Sequence, residues 1–142
     1  MSTNANAELL RSFEDEFVAG NIEYVLSILD DDIVVHECDH VPYPGNHRGK
    51  DGFLKLAEAF NACWDIQSEL DLEILPAGEE KVLVMVRFDA VAKQTGRPIE
   101  LRIAELYTIK DGRLADIVVH YWDTAAIVEA TDGALVLQGD PA

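Results

Sequence analysis

Four ionisable side chains of this chain stand among apolar neighbours, where proton chemistry can begin. Glu37 shares strand parity with Ile33 and Val35. A carboxylate facing an apolar cavity loses hydration, and its pKa rises toward working pH, as a general base requires. Arg87 and Asp89 share parity with Leu83, Met85 and Val91, and charges on such a face are more often paired or functional than idle. Asp123 ends a long alternating run beside Tyr121 and Trp122, where an acid or base could be kept. Asp123 or Thr124 could equally be the N-cap of a short helix over 125–130. His36, Cys38 and His40 alternate with Glu37 and Asp39. Their spacing fits no standard zinc pattern and Pro42 soon breaks the strand, so no metal site is expected.

These residues need elements to hold them, and the clearest is a hairpin. Apolar residues alternate over 103–109 and 114–122, and the turn Lys110-Asp111-Gly112-Arg113 between them carries the Asp-Gly signal of a tight hairpin. Upstream, Leu9, Leu10, Phe13 and Phe17 form a helical stripe over 8–19 that Gly20 can end, after a polar start at 1–7. Asn21 can cap a second helix over 22–29. A strand over 33–37 follows, then a loop over 39–50 marked by Pro42, Pro44, Gly45 and Gly49. A third helix over 51–63 carries Phe53, Leu56, Ala57 and Phe60, with Trp64 continuing its stripe. Phe60 and Trp64 are expected as core and pocket wall. Ser68, Leu70, Leu72 and Ile74 alternate with polar residues, which predicts a strand with those four inward. Strands over 81–92, 99–109 and 114–122 complete an antiparallel meander. The order α-α-β-α-β-β-β-β-α is an α+β arrangement. A curved sheet wrapped around a helix makes a cone with an apolar mouth, suited to a small apolar ligand.

Composition bounds the rest. At 142 residues, 49% hydrophobic and 27% charged, the chain is expected to form one domain, with a core over 8–130 and a tail over 131–142 that packs as an extra strand or at a partner interface. The net charge of −16, from 27 acids and 11 bases, argues against nucleic acid or an anionic membrane as partner. No apolar run reaches membrane-spanning length, and 1–8 lacks the pattern of a signal peptide. Cys38 and Cys63 fit two reduced thiols in a cytoplasmic protein.

The helix order, Ala19-Gly20-Asn21, the run from Asp31 to Glu37, the run from Pro42 to Gly49, and Asp111-Gly112-Arg113-Leu114 leading to Tyr121-Trp122-Asp123-Thr124 together resemble the nuclear transport factor 2-like superfamily. The resemblance covers about 8–130 and is to the SnoaL-like and ketosteroid-isomerase-related branch. It implies a cystatin-like α+β barrel, a homodimer, and a reaction that the fold alone does not name. Glu37 falls near the aspartate base of the isomerases, whose carboxylate tuning illustrates the logic. Phe13 stands where those enzymes have a tyrosine hydroxyl. Ala104 is nearest their second oxyanion donor, and Glu105 is one residue away. Arg87-Phe88-Asp89 and Asp123 resemble the Arg-x-Asp pair and final Asp of limonene-type epoxide hydrolases, with a last strand one residue longer that requires a bulge. Asp123 also matches the late acid of SnoaL-type cyclases.

The expectation is therefore a small-molecule enzyme working without a cofactor as isomerase, cyclase, dehydratase or hydrolase. Asp123, Glu37, Asp89 and Arg87 are the catalytic candidates, and Phe60, Trp64, Glu105, Tyr121 and Trp122 would line the substrate. The competing expectation is a non-catalytic ligand-binding or dimerisation domain of the same fold.

Overall fold

The computed structural model describes residues 3–141. In chain order its elements are α1 (Thr3–Val18), α2 (Ile22–Ile28), β1 (Leu29–Glu37), β2 (Gly45–Arg48), α3 (Gly49–Cys63), β3 (Trp64–Pro76), β4 (Lys81–Ala92), β5 (Pro98–Lys110), β6 (Arg113–Tyr121) and α4 (Thr124–Thr131). The strands form one six-stranded sheet ordered β2-β1-β6-β5-β4-β3. The sheet is curved and unclosed, and with the helices it makes an α+β cone. Among the described residues no helix is long and apolar enough to cross a membrane.

The β5–β6 hairpin turns through Asp111 and Gly112, both with positive φ (51° and 73°). Two successive left-handed residues match the right-handed twist of the strands they join. β3 to β6 pair antiparallel as a meander. β1 lies outside that antiparallel meander and pairs parallel with β6. No hairpin links these two strands; α3 and the whole meander lie between them, so turn geometry does not set their relative direction.

The segment read as a loop contains a strand. β2 folds back on β1 with Val34 opposite Arg48 and Glu37 opposite Gly45, and prolines and glycines around so short a strand mask it. The helix expected from residue 8 begins at Thr3. Its polar start is anchored, because Asn6 is only 2% exposed and its Nδ2 donates to the Glu79 carbonyl at 2.7 Å. Trp64 begins β3 instead of extending α3.

Bulges decide which side chains face inward. On β3, Gln67 and Leu70 are extra residues against β4, since Ile66 opposes Ala90, Ser68 opposes Asp89, Glu69 opposes Phe88 and Asp71 opposes Arg87. Each extra residue reverses the alternation. Leu70, expected inward, is 43% exposed, and Glu69 takes the inward register of Phe88. On β6 the extra residue is Ala115, because Ile109 opposes Leu114 while Thr108 opposes Asp116. Leu114 is buried, and beyond the bulge Ile117 and Val119 are buried, so Tyr121 follows them onto the inner face. Leu10 and Phe13 of α1 pack with Phe53 and Leu56 of α3 and with Val82, Val84, Leu101 and Ile103 of the sheet in one apolar core.

The tail makes a single antiparallel bridge, between Asp140 and Asn46, and adds no strand to the sheet. The amides of Val136 and Leu137 donate to the Pro42 carbonyl, Gly139 donates to the Pro44 carbonyl, and Asn46 and Asp140 exchange two backbone bonds of 2.8 and 2.9 Å. This strap grips the 38–44 loop and demands close approach. A Cβ on Gly139 would lie 2.7 Å from the Asn46 carbonyl oxygen, and backbone cannot yield as a flexible side chain can. Gly139→Ala is therefore expected to destabilise the protein by about 1–3 kcal/mol in urea unfolding. A change below about 0.5 kcal/mol would show that the strap is not held tightly.

Candidate active site

Polar side chains from separate elements meet inside the cone. β1 carries Glu37 on the face of Ile33 and Val35, which are 0% and 3% exposed. β5 carries Glu105 and Tyr107 on the face of Leu101 and Ile103, β6 brings Tyr121, and α1 brings Glu14 one turn beyond buried Leu10. The 38–44 loop adds Tyr43, which is completely buried. His47 donates through Nε2 to the Tyr43 carbonyl at 2.8 Å, holding that loop.

The tyrosines form a hydrogen-bonded chain. Trp64 Nε1 can only donate, so Tyr43 Oη accepts from it at 2.8 Å. Tyr43 Oη lies 2.7 Å from Tyr121 Oη. Either hydroxyl can be the donor in that bond, and where Tyr43 donates, the Tyr121 hydrogen is free for a bound molecule. Burial pushes the Tyr43, Tyr107 and Tyr121 hydroxyls up, and carboxylates nearby add to the effect, so all three remain donors at neutral pH.

The acids are uncomfortable. Glu37 is pushed well above the carboxylate range, first by burial and then by the charge of Glu105. Its Oε1 is buried and has no hydrogen-bond partner. Burial, reinforced by Glu14, pushes Glu105 up to about 8 against the opposing hydrogen bond of Tyr107. Glu14 is pushed up to about 7 by burial and then Glu69, again opposed by Tyr107. The Tyr107 hydroxyl interacts with both carboxyls. Phe13 lies edge-on to Phe53 and to Tyr107 at 6.2 and 6.1 Å between ring centres, and Phe60 packs on Tyr43 at 6.1 Å. Protonated carboxyls beside tyrosine hydroxyls can stabilise a developing oxyanion, and an ionised one can take a proton.

Of the four expected catalytic residues, only Glu37 lies in the cone. Arg87 and Asp89 occupy the outer face, because β4 turns Val82, Val84, Val86, Ala90 and Ala92 inward. Arg87 donates to Glu100 at 2.7 Å, not to Asp89, which is exposed. Asp123 is the N-cap of α4, its Oδ1 accepting from the Ala126 amide at 3.0 Å, and it too is exposed. Phe60, Trp64, Glu105 and Tyr121 do line the interior. Trp122 does not: it is 75% exposed and lies under the Arg102 guanidinium outside the sheet, 4.8 Å from its centre. His36 also faces outward, bonded to Asn46 Oδ1 and Asp116 Oδ1 at 2.8 and 2.7 Å. Cys38 and Cys63 are free thiols.

Three residues of the cluster escape the sequence reading: Glu14, Tyr43 and Tyr107. Glu14 carries a usable signal, being four residues after Leu10 and three before Phe17 on the apolar side of its helix. Tyr43, between two prolines in a loop, carries none.

The SnoaL-like domain profile matches residues 10–117. The chain belongs to that family, within the nuclear transport factor 2-like superfamily. Among solved structures, this SnoaL-like chain is similar to a nuclear transport factor 2-like protein of Burkholderia xenovorans, at 26% identity over 92% of this chain and 98% of that one, with a TM-score of 0.84. It is also similar to a Bacillus subtilis protein provisionally described as an isomerase (17% identity, 95% and 99% covered, TM-score 0.75). A Pseudomonas putida protein provisionally described as a polyketide cyclase is similar too (17%, 92% and 98%, TM-score 0.71). At those two identities the likeness is one of fold. No curated protein matches.

The raised carboxyls make stability depend on pH with a definite sign. Between the ordinary value of 4.5 and about 7 to 8, the folded state holds protons that the unfolded chain has released. Their contribution is complete below that window and is lost as pH rises through it, at about 1.4 kcal/mol per pH unit for each such group. The Tm of the wild type should therefore fall from about pH 5 to pH 8, and Glu105→Gln should flatten that fall. Parallel curves for the two proteins would mean that Glu105 titrates as an ordinary acid.

Proposed function

We propose that this SnoaL-like protein is an enzyme that binds a small apolar, cyclic molecule in the cone and moves a proton with the Glu37 carboxyl. The observation that carries this reading is the buried Glu37 Oε1 with no hydrogen-bond partner. Such an oxygen costs on the order of 1–3 kcal/mol or more when left unpaired, and a donor on a bound substrate would relieve that cost.

The neighbours supply what proton transfer at carbon needs. Glu37, ionised, abstracts a proton beside a carbonyl, and desolvation has already raised its basicity. The hydrogen of Tyr121, backed by Tyr43 and Trp64, meets the oxygen on which charge develops. Glu105, protonated at neutral pH, is a second donor. This array takes the place of the isomerase tyrosine that Phe13 lacks. Isomerisation, cyclisation and dehydration all fit such a constellation. Epoxide hydrolysis through an Arg-x-Asp pair does not, since Arg87 and Asp89 lie on the opposite face.

One observation favours the competing reading of a non-catalytic binder: three of the four expected catalytic residues sit outside the cone. The test that separates the two uses Glu37→Gln, which keeps the shape and removes the base. Against a panel of cyclic ketones, polyketide-like phenols and hydroxylated dihydro-aromatics, the wild type should turn over at least one class, and the variant should lose about 10²- to 10⁴-fold in kcat. Binding without turnover, or turnover that Glu37→Gln leaves intact, makes the protein a binder or moves the chemistry elsewhere.

A further inference from the structure

The cone gathers carboxyl groups and, among the described residues, no cation that would balance them once they ionise. Glu14 from α1, Glu37 from β1 and Glu105 from β5 are each perturbed by burial and then by another carboxylate, which for Glu14 is the exposed Glu69 of β3. The other ionisable groups acting on the series are Asp15 beside Glu14, and Tyr107, Tyr43, Tyr121 and Cys38 around it. None of these is a cation. Among the described residues, the ion pairs of Arg48, Lys50, Arg87 and Arg97 are with Asp140, Asp31, Glu100 and Asp132, all away from the cone. The remaining lysines and arginines are exposed.

A core that needed only to be filled would be better served by apolar or amide side chains, since buried acids without partners are costly. Two further features point to what would relieve them. Glu37 Oε1 is an inward acceptor with no donor. The rings of Phe13, Phe17, Phe53 and Tyr107 pack against one another beside the acids, and aromatic faces attract cations. We propose that the cone takes an apolar organic cation, a small cyclic or aromatic molecule bearing a protonated amine, with its ammonium group among Glu37, Glu105 and Glu14. This deepens the proposed function and rests on it, by naming the substrate class of the same cavity. An ammonium group has three donors to share among these acceptors. The net charge of −16 draws cations toward the protein from a distance.

The proposal has a proton balance. A carboxyl that receives the ammonium does so as a carboxylate, so a protonated one releases its proton to solvent as the amine enters. Amine affinity should therefore rise with pH across the range in which the acids ionise, until the amine itself loses its charge near pH 10. A neutral apolar ligand should show the reverse, because it prefers the protonated, uncharged cone.

Isothermal titration calorimetry on the full chain tests this with matched pairs: phenethylamine, tryptamine and cyclohexylamine against the corresponding alcohols. Titrations at about pH 6 and 8.5, in two buffers of different ionisation enthalpy, count the protons released. At least one amine should bind about tenfold tighter than its alcohol, tighten by about tenfold at the higher pH and release protons. Glu37→Gln and Glu105→Gln, checked for folding by circular dichroism, should each weaken the amine by about tenfold at the higher pH without weakening the alcohol. Alcohols binding as tightly as amines, or amine affinity flat or falling with pH, overturns the amine proposal and leaves the small-molecule cavity standing. No binding by either set overturns both.

Discussion

Everything in this molecule turns on carboxyl groups set among apolar and aromatic side chains, with no lysine or arginine beside them among the described residues. Glu37, Glu105 and Glu14 face an apolar interior, and burial is the leading cause of every shift they show. In such a place a charge is expensive, so the acids keep their protons at pH values where surface carboxylates have lost them. That one fact makes Glu105 a donor at neutral pH and makes Glu37, once ionised, a strong base. It also explains the hydroxyls of Tyr43, Tyr107 and Tyr121: they are the polar groups that a buried acid can use without importing a full charge.

The fold brings the acids together through small irregularities. The extra residue at Ala115 turns Tyr121 inward, and those at Gln67 and Leu70 bring Glu69 round to the side of Glu14. The loop that carries Tyr43 is held from two sides, by His47 from within and by the tail across Pro42 and Pro44. A sheet without bulges would keep its alternation and lose the cluster.

What could be read beforehand, and what could not, follows from the same irregularities. The hairpin at Asp111-Gly112 and the α+β order were legible because turn chemistry and periodicity are local signals. β2 was not, because four residues framed by prolines and glycines carry no period. Arg87 and Asp89 misled because both faces of β4 are apolar, with Leu83 and Met85 on one and Val82, Val84 and Val86 on the other, so parity alone could not say which face was inside. Asp123 followed the plainer of its two readings, as a helix cap. Glu37 was visible through Ile33 and Val35. Glu14 was hidden by its place in a stripe read only for its apolar members, and Tyr43 because its loop position depends on a tail almost a hundred residues away.

Membership of the SnoaL-like family supplies the cone, and the acids inside it are what the account rests on. Their protonation can be observed without knowing any substrate, by carbon-13 nuclear magnetic resonance of glutamate side-chain carboxyls titrated from about pH 3 to 10, with Glu14→Gln, Glu37→Gln and Glu105→Gln to assign the signals. The signals of Glu14 and Glu105 should still be largely protonated at pH 6, that of Glu37 should titrate well above the ordinary midpoint of 4.5, and each should vanish in its own variant. If all the glutamates instead titrate together near 4.5, the acids are hydrated, and the account of the cone as a site of strained carboxyls is wrong.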